Sequence, residues 1–304
     1  MKARTRSEVR DKLIGAGLMR TYAVEGIYAF TEGYEVVLAA VDRLVRDAEP
    51  TDGFVELGVP PILPEDAFVA TGYLRSFPQL IGSINVFSGG TREHRDLLAA
   101  QMRGDDWTEA LVPAHLDLLS APCHGSYPLL SGRTVAEPVA FGISARCWRH
   151  EPSADPFRLT SFRMREKVVV GTPEFATAHR DAAKDHGPAL LSSLGLPIRV
   201  EVANDPFFGR AAGLMVEGQL EAELKHEFVF VGFDDDPGVA LGSVNYHQDH
   251  FGVDFGISTP AGEPAHSACI GFGLERVTTA LFAAHGVVVD RWPDEVRELL
   301  RLAA

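Results

Sequence analysis

The apolar residues between Thr31 and Arg46 fall at Tyr34, Val37, Leu38, Val41, Leu44 and Val45, with charges between them, and this spacing predicts an amphipathic helix. Farther along the chain the period changes. From Val139 to Glu151, and again from Thr160 to Val170, apolar residues alternate or run on, predicting two antiparallel strands joined by a loop around Pro152 to Phe157. Pro173-Glu174 opens a helix that reaches Leu194, where Gly195 and Pro197 stop it. Strands are expected at Ile198–Val202, His226–Phe233, Gly242–Tyr246 and Val253–Ser258, then at Cys269 before a final pair of helices. A helix from Gly213 to Leu224 interrupts that series, and Pro61-Ile-Leu-Pro64 followed by Glu65-Asp66 reads as a strand end entering a short helix. No repeat, low-complexity tract or Gly/Ser linker divides the pattern. Residues 1–304 therefore read as one α+β domain, a mostly antiparallel sheet flanked by helices.

Composition narrows the function classes. With 304 residues, 46% of them apolar, the chain can bury a sizeable core. The balance of 28 basic against 42 acidic residues gives −14, and no dense Lys/Arg run offsets it. Nonspecific nucleic-acid binding is disfavoured, because neutralising phosphates needs clustered cations. Met1 to Arg10 carry mixed charges and lead into no apolar run, and no long apolar segment follows anywhere, so the chain reads as cytoplasmic with no membrane partner. Cys123, Cys147 and Cys269 are odd in number and far apart, which leaves buried thiols or metal ligands rather than a secreted disulfide framework.

Two segments carry the chemistry. Cys269-Ile-Gly-Phe-Gly-Leu-Glu-Arg276 ends a strand on glycines and delivers an arginine at the start of a helix. Gly271 and Gly273 leave room for a planar ligand, and Arg276 adds a cation with a flat, stackable face. Arg149-His150-Glu151, a polar loop and Phe162-Arg163-Met164-Arg165-Glu166 read as strand, loop, strand. Strand parity puts Arg149 and Glu151 on one face, and Phe162, Met164 and Glu166 on one face. An isolated Arg-x-Glu pair is usually a surface ion pair. Both segments in this order instead suit activation of a carboxylate by ATP, in which arginine holds phosphate and carboxylate together. Ser243, Asn245 and His247 alternate onto one strand face, either to line an amino-acid pocket or to satisfy one another. Glu227 can pair with Lys225 across one strand face.

These two segments resemble motifs 2 and 3 of the class II aminoacyl-tRNA synthetases. The region from Pro60 through Gly72 to Ile81 is taken as the motif 1 equivalent, which implies a homodimer. The resemblance implies that Arg149 binds the α-phosphate, Glu151 the adenine amino group, and Arg158 the γ-phosphate. Phe162 and Arg276 would sandwich adenine, and Glu227 would hold Mg²⁺. Cys123, Glu166 and Cys269 match the ligand set of the archaeal-type, zinc-dependent seryl-tRNA synthetase core, which implies Zn²⁺ with one position open to an amine. Cys147 shares strand parity with Arg149 and stays a competing ligand, and His247 with His250 is an alternative metal pair.

About 60 residues precede the motif 1 equivalent, a helical segment over 1–59 too short for the tRNA-gripping domain of those synthetases. No tRNA partner is expected. Such a core resembles the amino acid:[carrier protein] ligases, implying ATP, glycine or alanine, and transfer to a phosphopantetheine thiol on a carrier protein. The helix near Gly213 to Leu224, flanked by Arg210 and Lys225, reads as a carrier-docking surface, although Glu217, Glu221 and Glu223 suit an acidic carrier poorly. The alternatives are a truncated synthetase acting on tRNA and a catalytically silent paralogue with a regulatory role.

Overall fold

A computed structural model describes residues 4–48, 53–210 and 212–302, so Met1 to Ala3 of the mixed-charge N-terminal stretch lie outside the described residues. The expected amphipathic helix is α1 (Glu32–Asp47), with Tyr34, Val37, Leu38, Val41 and Val45 buried along one stripe. The segment before it is not wholly helical. A helix over Arg6–Gly15 is followed by an antiparallel ribbon, Met19–Thr21 with Tyr28–Phe30.

Seven strands form the main sheet: β1 (Phe54–Leu57), β2 (Val139–Trp148), β3 (Ser161–Gly171), β4 (Ile198–Val202), β5 (Lys225–Phe230), β6 (Val239–Gln248) and β7 (His266–Gly273). Their spatial order is β1-β2-β3-β7-β6-β5-β4, and every pair is antiparallel except β1 with β2. Helices α2 (Pro173–Ser193), α3 (Ala212–Glu221), α4 (His250–Asp254) and α5 (Leu274–His285) complete the elements that matter for the site. Among the described residues, no helix is long and apolar enough to cross a membrane.

One face of the sheet packs against α1, α2 and α5 through Phe228, Phe230, Val244, Ile270 and Phe272. Arg163 and Arg165 point to this helical side, where Arg163 bonds Glu35 and Glu275 and Arg165 bonds Asp42 and Glu56. The opposite face meets a second core around Phe68, Leu119, Tyr127 and Phe251, built partly on a three-stranded sheet of Ile62–Pro64, Val112–Leu118 and Ser83–Val86. Helix α2 rides close to the sheet at Gly187, where an added Cβ would stand 3.0 Å from Ile270 Cδ1 and overlap the Phe228 ring. Gly187→Ala gains about 1 kcal/mol of helix propensity but forces a fully buried ring to move, at a cost of about 1–3 kcal/mol. A net loss of stability is expected, read as a lower urea midpoint.

The strand expected at Val253–Ser258 is absent. That stretch is the end of α4 followed by a loop in which Ser258 makes only isolated bridges to Thr134 and Pro264. Phe251, Val253, Phe255 and Ile257 alternate in sequence, but Phe251 and Phe255 are buried one helical turn apart while Val253 is 58% exposed. The segment Gly72 to Ile81 forms a short helix and a 3-10 turn, and its Gly72, Tyr73 and Phe77 line a cavity.

Candidate active site

Strand register assembles the site. Residues directly opposite one another share a face, so Glu166, Gly271, Ser243 and Glu227 form one row across β3, β7, β6 and β5. Val168, Cys269, Asn245 and Lys225 form the neighbouring row on the same face. A cavity of about 670 Å³ opens above these rows.

At its floor the ligand atoms of Cys123, Glu166 and Cys269 all lie within 4.8 Å of one another, and all three residues are buried. Cys123 arrives on the turn Pro122–Gly125, and its backbone N–H donates to Glu166 Oε2 at 2.8 Å. Gly271 has to lack a side chain, since a Cβ there would stand 2.9 Å from Glu166 Cγ. Burial, and then the neighbouring Cys269, pushes the Glu166 carboxyl up to about 8. The neighbouring Cys269 and then burial hold the Cys123 thiol high, while Cys269, beside Cys123, is held low. Three acidic donors crowded into one dry point repel one another on ionising, and a divalent cation with mixed sulfur and oxygen ligation relieves that repulsion. The donor set therefore fits a metal ion.

Cys147 does not join it. It pairs with Phe162 on β3, four residues along the strand from the Glu166 row, or about 13 Å at strand rise. Parity alone could not reveal that distance.

Ser243, Asn245 and His247 do converge beside the Cys123–Glu166–Cys269 triad. Asn245 Nδ2 lies 3.3 Å from Ser243 Oγ and 3.7 Å from Cys269 Sγ. His247 stands with Nε2 3.6 Å from Cys269 Sγ and Nδ1 3.1 Å from Ser267 Oγ. Tyr127, which sequence reasoning missed, has its hydroxyl 3.3 Å from both Ser267 Oγ and His247 Nδ1. His250 faces Thr71 and Asp254, away from the thiols, so the His247–His250 metal pair is not formed.

The other end of the cavity is cationic. β2 stops at Trp148, so Arg149 and Glu151 lie just past the strand, with Arg149 N–H still bonded to Thr160 O at 2.9 Å. Arg149 Nε donates to Ser120 O at 3.1 Å, and its guanidinium lies 5.4 Å from the Phe162 ring centroid. Phe162 is thus covered by Arg149. Arg276 donates to the carbonyls of Phe157 and Ala240 at 2.8 and 3.0 Å. Burial, followed by repulsion from Arg149, lowers its pKa below the ordinary arginine range. Two half-buried guanidiniums that repel each other form a seat for a polyanion. Glu151 and Arg158 pair with each other at 3.1 Å at the mouth.

Glu227 makes the ion pair with Lys225 that its strand spacing allows, at 2.9 Å, and Lys225 also reaches Asp205 at 2.7 Å. The Lys225 side chain is only 11% exposed and already compensated by two carboxylates, so it is not the outward docking contact expected for it. Asp205 and Gln219 were invisible in the sequence, because loop and helix meet the strand only in three dimensions. Helix α3 contributes Met215, Gly218 and Gln219 to the cavity wall.

No family model matches the chain. It is 35% identical over 302 residues to amino acid–[acyl-carrier-protein] ligase 1 of Bradyrhizobium diazoefficiens, covering 98% of this chain and 92% of that protein. It is 38% identical over 281 residues to ligase 2 of the same organism, covering 91% and 84%. A type-2 serine–tRNA ligase of Methanococcus aeolicus is 25% identical over 320 residues, 96% of this chain but 58% of that protein. Among solved structures, M. kandleri SerRS in complex with A. aeolicus tRNASec superposes with a TM-score of 0.83 at 21% identity, over 99% of this chain and 61% of that one. Seryl-tRNA synthetase from Pyrococcus horikoshii complexed with ATP superposes with a TM-score of 0.71 at 14% identity, over 99% and 64%. The α+β fold is that of the class II synthetases.

Proposed function

The chain belongs to the amino acid–[acyl-carrier-protein] ligases, and from that membership we propose that it activates glycine or alanine with ATP and transfers the aminoacyl group to the phosphopantetheine thiol of a carrier protein. The observation that carries the reading is one cavity joining the acidic Cys123–Glu166–Cys269 triad to two half-buried arginines with no carboxylate bonded to either among the described residues.

In the first half-reaction a carboxylate oxygen attacks the α-phosphorus, an acyl phosphate bond forms and pyrophosphate leaves. Two anions must approach, so neutralisation and positioning supply most of the rate. In this reading Arg149 bonds both the α-phosphate and the carboxylate. Phe162 and Arg276 offer flat faces to adenine, and Glu151, released from Arg158, accepts from its amino group while Arg158 turns to the γ-phosphate. Glu227 offers its carboxylate to the Mg²⁺ that arrives with ATP. Cys123, Glu166 and Cys269 would hold Zn²⁺, which when bound supplies a Lewis-acid seat for the α-amine of the amino acid. Asn245, Ser243 and His247 orient those ligands and wall in a small substrate. One methyl group is worth only about 1–3 kcal/mol in such a pocket, so glycine and alanine stand together. In the second half-reaction the carrier's sulfur attacks the activated carbonyl and AMP leaves.

A homodimer, a cytoplasmic setting and a carrier rather than tRNA as acceptor complete the proposal. The helix Thr91–Arg103 buries none of its residues and exposes Leu98 and Met102, which fits cover by a second copy. ATP–pyrophosphate exchange on zinc-replete protein tests activation. Exchange with glycine or alanine, well above that with serine, is expected. No exchange with any amino acid would move the chain to the silent-paralogue reading.

A further inference from the structure

Arg276 is held from two segments of the chain. Its Nε donates to Phe157 O in the loop over residues 149–160, and its Nη1 to Ala240 O at the start of β6. The guanidinium keeps its place in the cavity wall only while those two segments keep their separation.

A second guanidinium spans the same two segments. Arg6, at the start of the helix Arg6–Gly15, donates from Nη1 to Asp155 Oδ2 at 2.7 Å. Its Nε and Nη2 donate to the two oxygens of the Asp236 carboxylate at 2.9 and 2.7 Å, and Nη2 also reaches Gly238 O at 2.6 Å. Asp155 lies two residues before Phe157, and Gly238 two before Ala240. Each aspartate also closes a turn on its own segment: Asp155 Oδ1 accepts from Phe157 N at 2.9 Å, and Asp236 Oδ1 from Gly238 N at 2.7 Å. The carboxylates that bind Arg6 therefore set the peptides leading to the carbonyls that seat Arg276. Arg158 N, in the same turn, donates to Asp155 O at 2.9 Å.

The side chains of Arg6, Asp155 and Asp236 are only 20%, 17% and 21% exposed, so this forked pairing is less screened than a surface ion pair. The rest of the N-terminal segment presses on the same two places. Tyr28 Oη and Arg10 Nη1 reach Ala154 O at 3.4 and 3.3 Å, Thr160 N donates to Gly26 O at 2.9 Å, and Asp234 N donates to Arg4 O at 3.0 Å. Gly26, at φ +76°, allows that approach, since a Cβ there would stand 2.8 Å from Thr160 Oγ1.

Resting on the ligase reading above, we propose that Arg6 is a positioning residue for ATP: by bridging Asp155 and Asp236 it sets the gap across which Phe157 and Ala240 seat Arg276. It acts through Arg276 and touches no substrate, for neither Arg6 nor either aspartate lines the cavity. Without Arg6 the two carboxylates that shared one cation repel each other, and the gap widens. Arg149, held on the Ser120 carbonyl, and the Cys123–Glu166–Cys269 triad have no bond to this bridge, so the effect falls on ATP rather than on the amino acid.

The test is pyrophosphate exchange with ATP and amino acid varied separately, alongside ATP affinity measured by calorimetry without amino acid. Arg6→Ala is expected to raise KM for ATP about 10-fold, with KM for glycine or alanine within about 2-fold and the rate at saturating ATP within about 3-fold. ATP affinity should fall by the same factor. Arg6→Lys keeps a charge but not the fork and should recover part of the loss. Asp155→Asn should raise KM for ATP in the same direction, and combining it with Arg6→Ala should add little to either change alone. Arg4→Ala is the matched comparison, a side chain 80% exposed beside Asp234, and should leave ATP binding unchanged. Parent-like KM and affinity for ATP in Arg6→Ala would overturn the assignment. So would an equal rise in KM for both substrates, or a lower rate with neither KM moved, the signature of a less stable protein with a normal site. Absence of exchange in the unaltered enzyme would instead defeat the ligase reading, and calorimetry would still decide whether Arg6 positions the nucleotide seat.

Discussion

Arg149→Ala is expected to lower amino-acid-dependent pyrophosphate exchange by about two to three orders of magnitude, the scale for removing one preorganised charge-stabilising donor. Arg149 is held in place by the Ser120 carbonyl and the Phe162 face rather than by a bonded carboxylate. Its charge is therefore available to the reaction, and its removal strips the cationic end of the cavity of one of two half-buried cations. Arg149→Lys keeps the charge but not the planar fork and should recover only a small part of the rate. Both variants should retain the urea midpoint of the parent within about 1 kcal/mol, because no bonded anion is left buried and unpaired. Exchange close to the parent rate in Arg149→Ala would remove this residue from the activation step.

Cys269→Ala carries the second large effect. Loss of one of three ligands should weaken zinc binding by more than about 100-fold, beyond what outer-shell changes usually cost, and should abolish exchange. Metal content after dialysis against a weak chelator is the direct readout. Cys147→Ala is the matched comparison, a buried thiol that sits about 13 Å along β2 and β3 from the Glu166 row and should leave metal content unchanged. Equal metal content in both variants would remove Cys269 from the ligand set.

What the sequence disclosed follows from what has a period or a fixed offset. The strands of the Arg149–Glu166 hairpin and the Cys269 segment were legible because alternation assigns faces, and antiparallel register then brings Glu166, Gly271 and Ser243 into one row. The convergence of Ser243, Asn245 and His247 followed from parity alone. Parity could not separate Cys123 from Cys147, since only the turn at Pro122 decides which sulfur reaches Glu166. It also misassigned the Val253 to Ser258 stretch, where the end of a short helix and the loop after it happen to alternate. The Asp205–Lys225–Glu227 network and the His250–Asp254 pair at the cavity wall depend on loops and short helices that no sequence period announces.

The measurement closest to the central claim is intact-mass analysis of acceptors after incubation with zinc-replete enzyme, ATP and glycine or alanine. The phosphopantetheinylated carrier should gain one aminoacyl mass that is released by hydroxylamine, while the unmodified carrier and bulk tRNA gain none. Aminoacylated tRNA with an unloaded carrier would contradict the account.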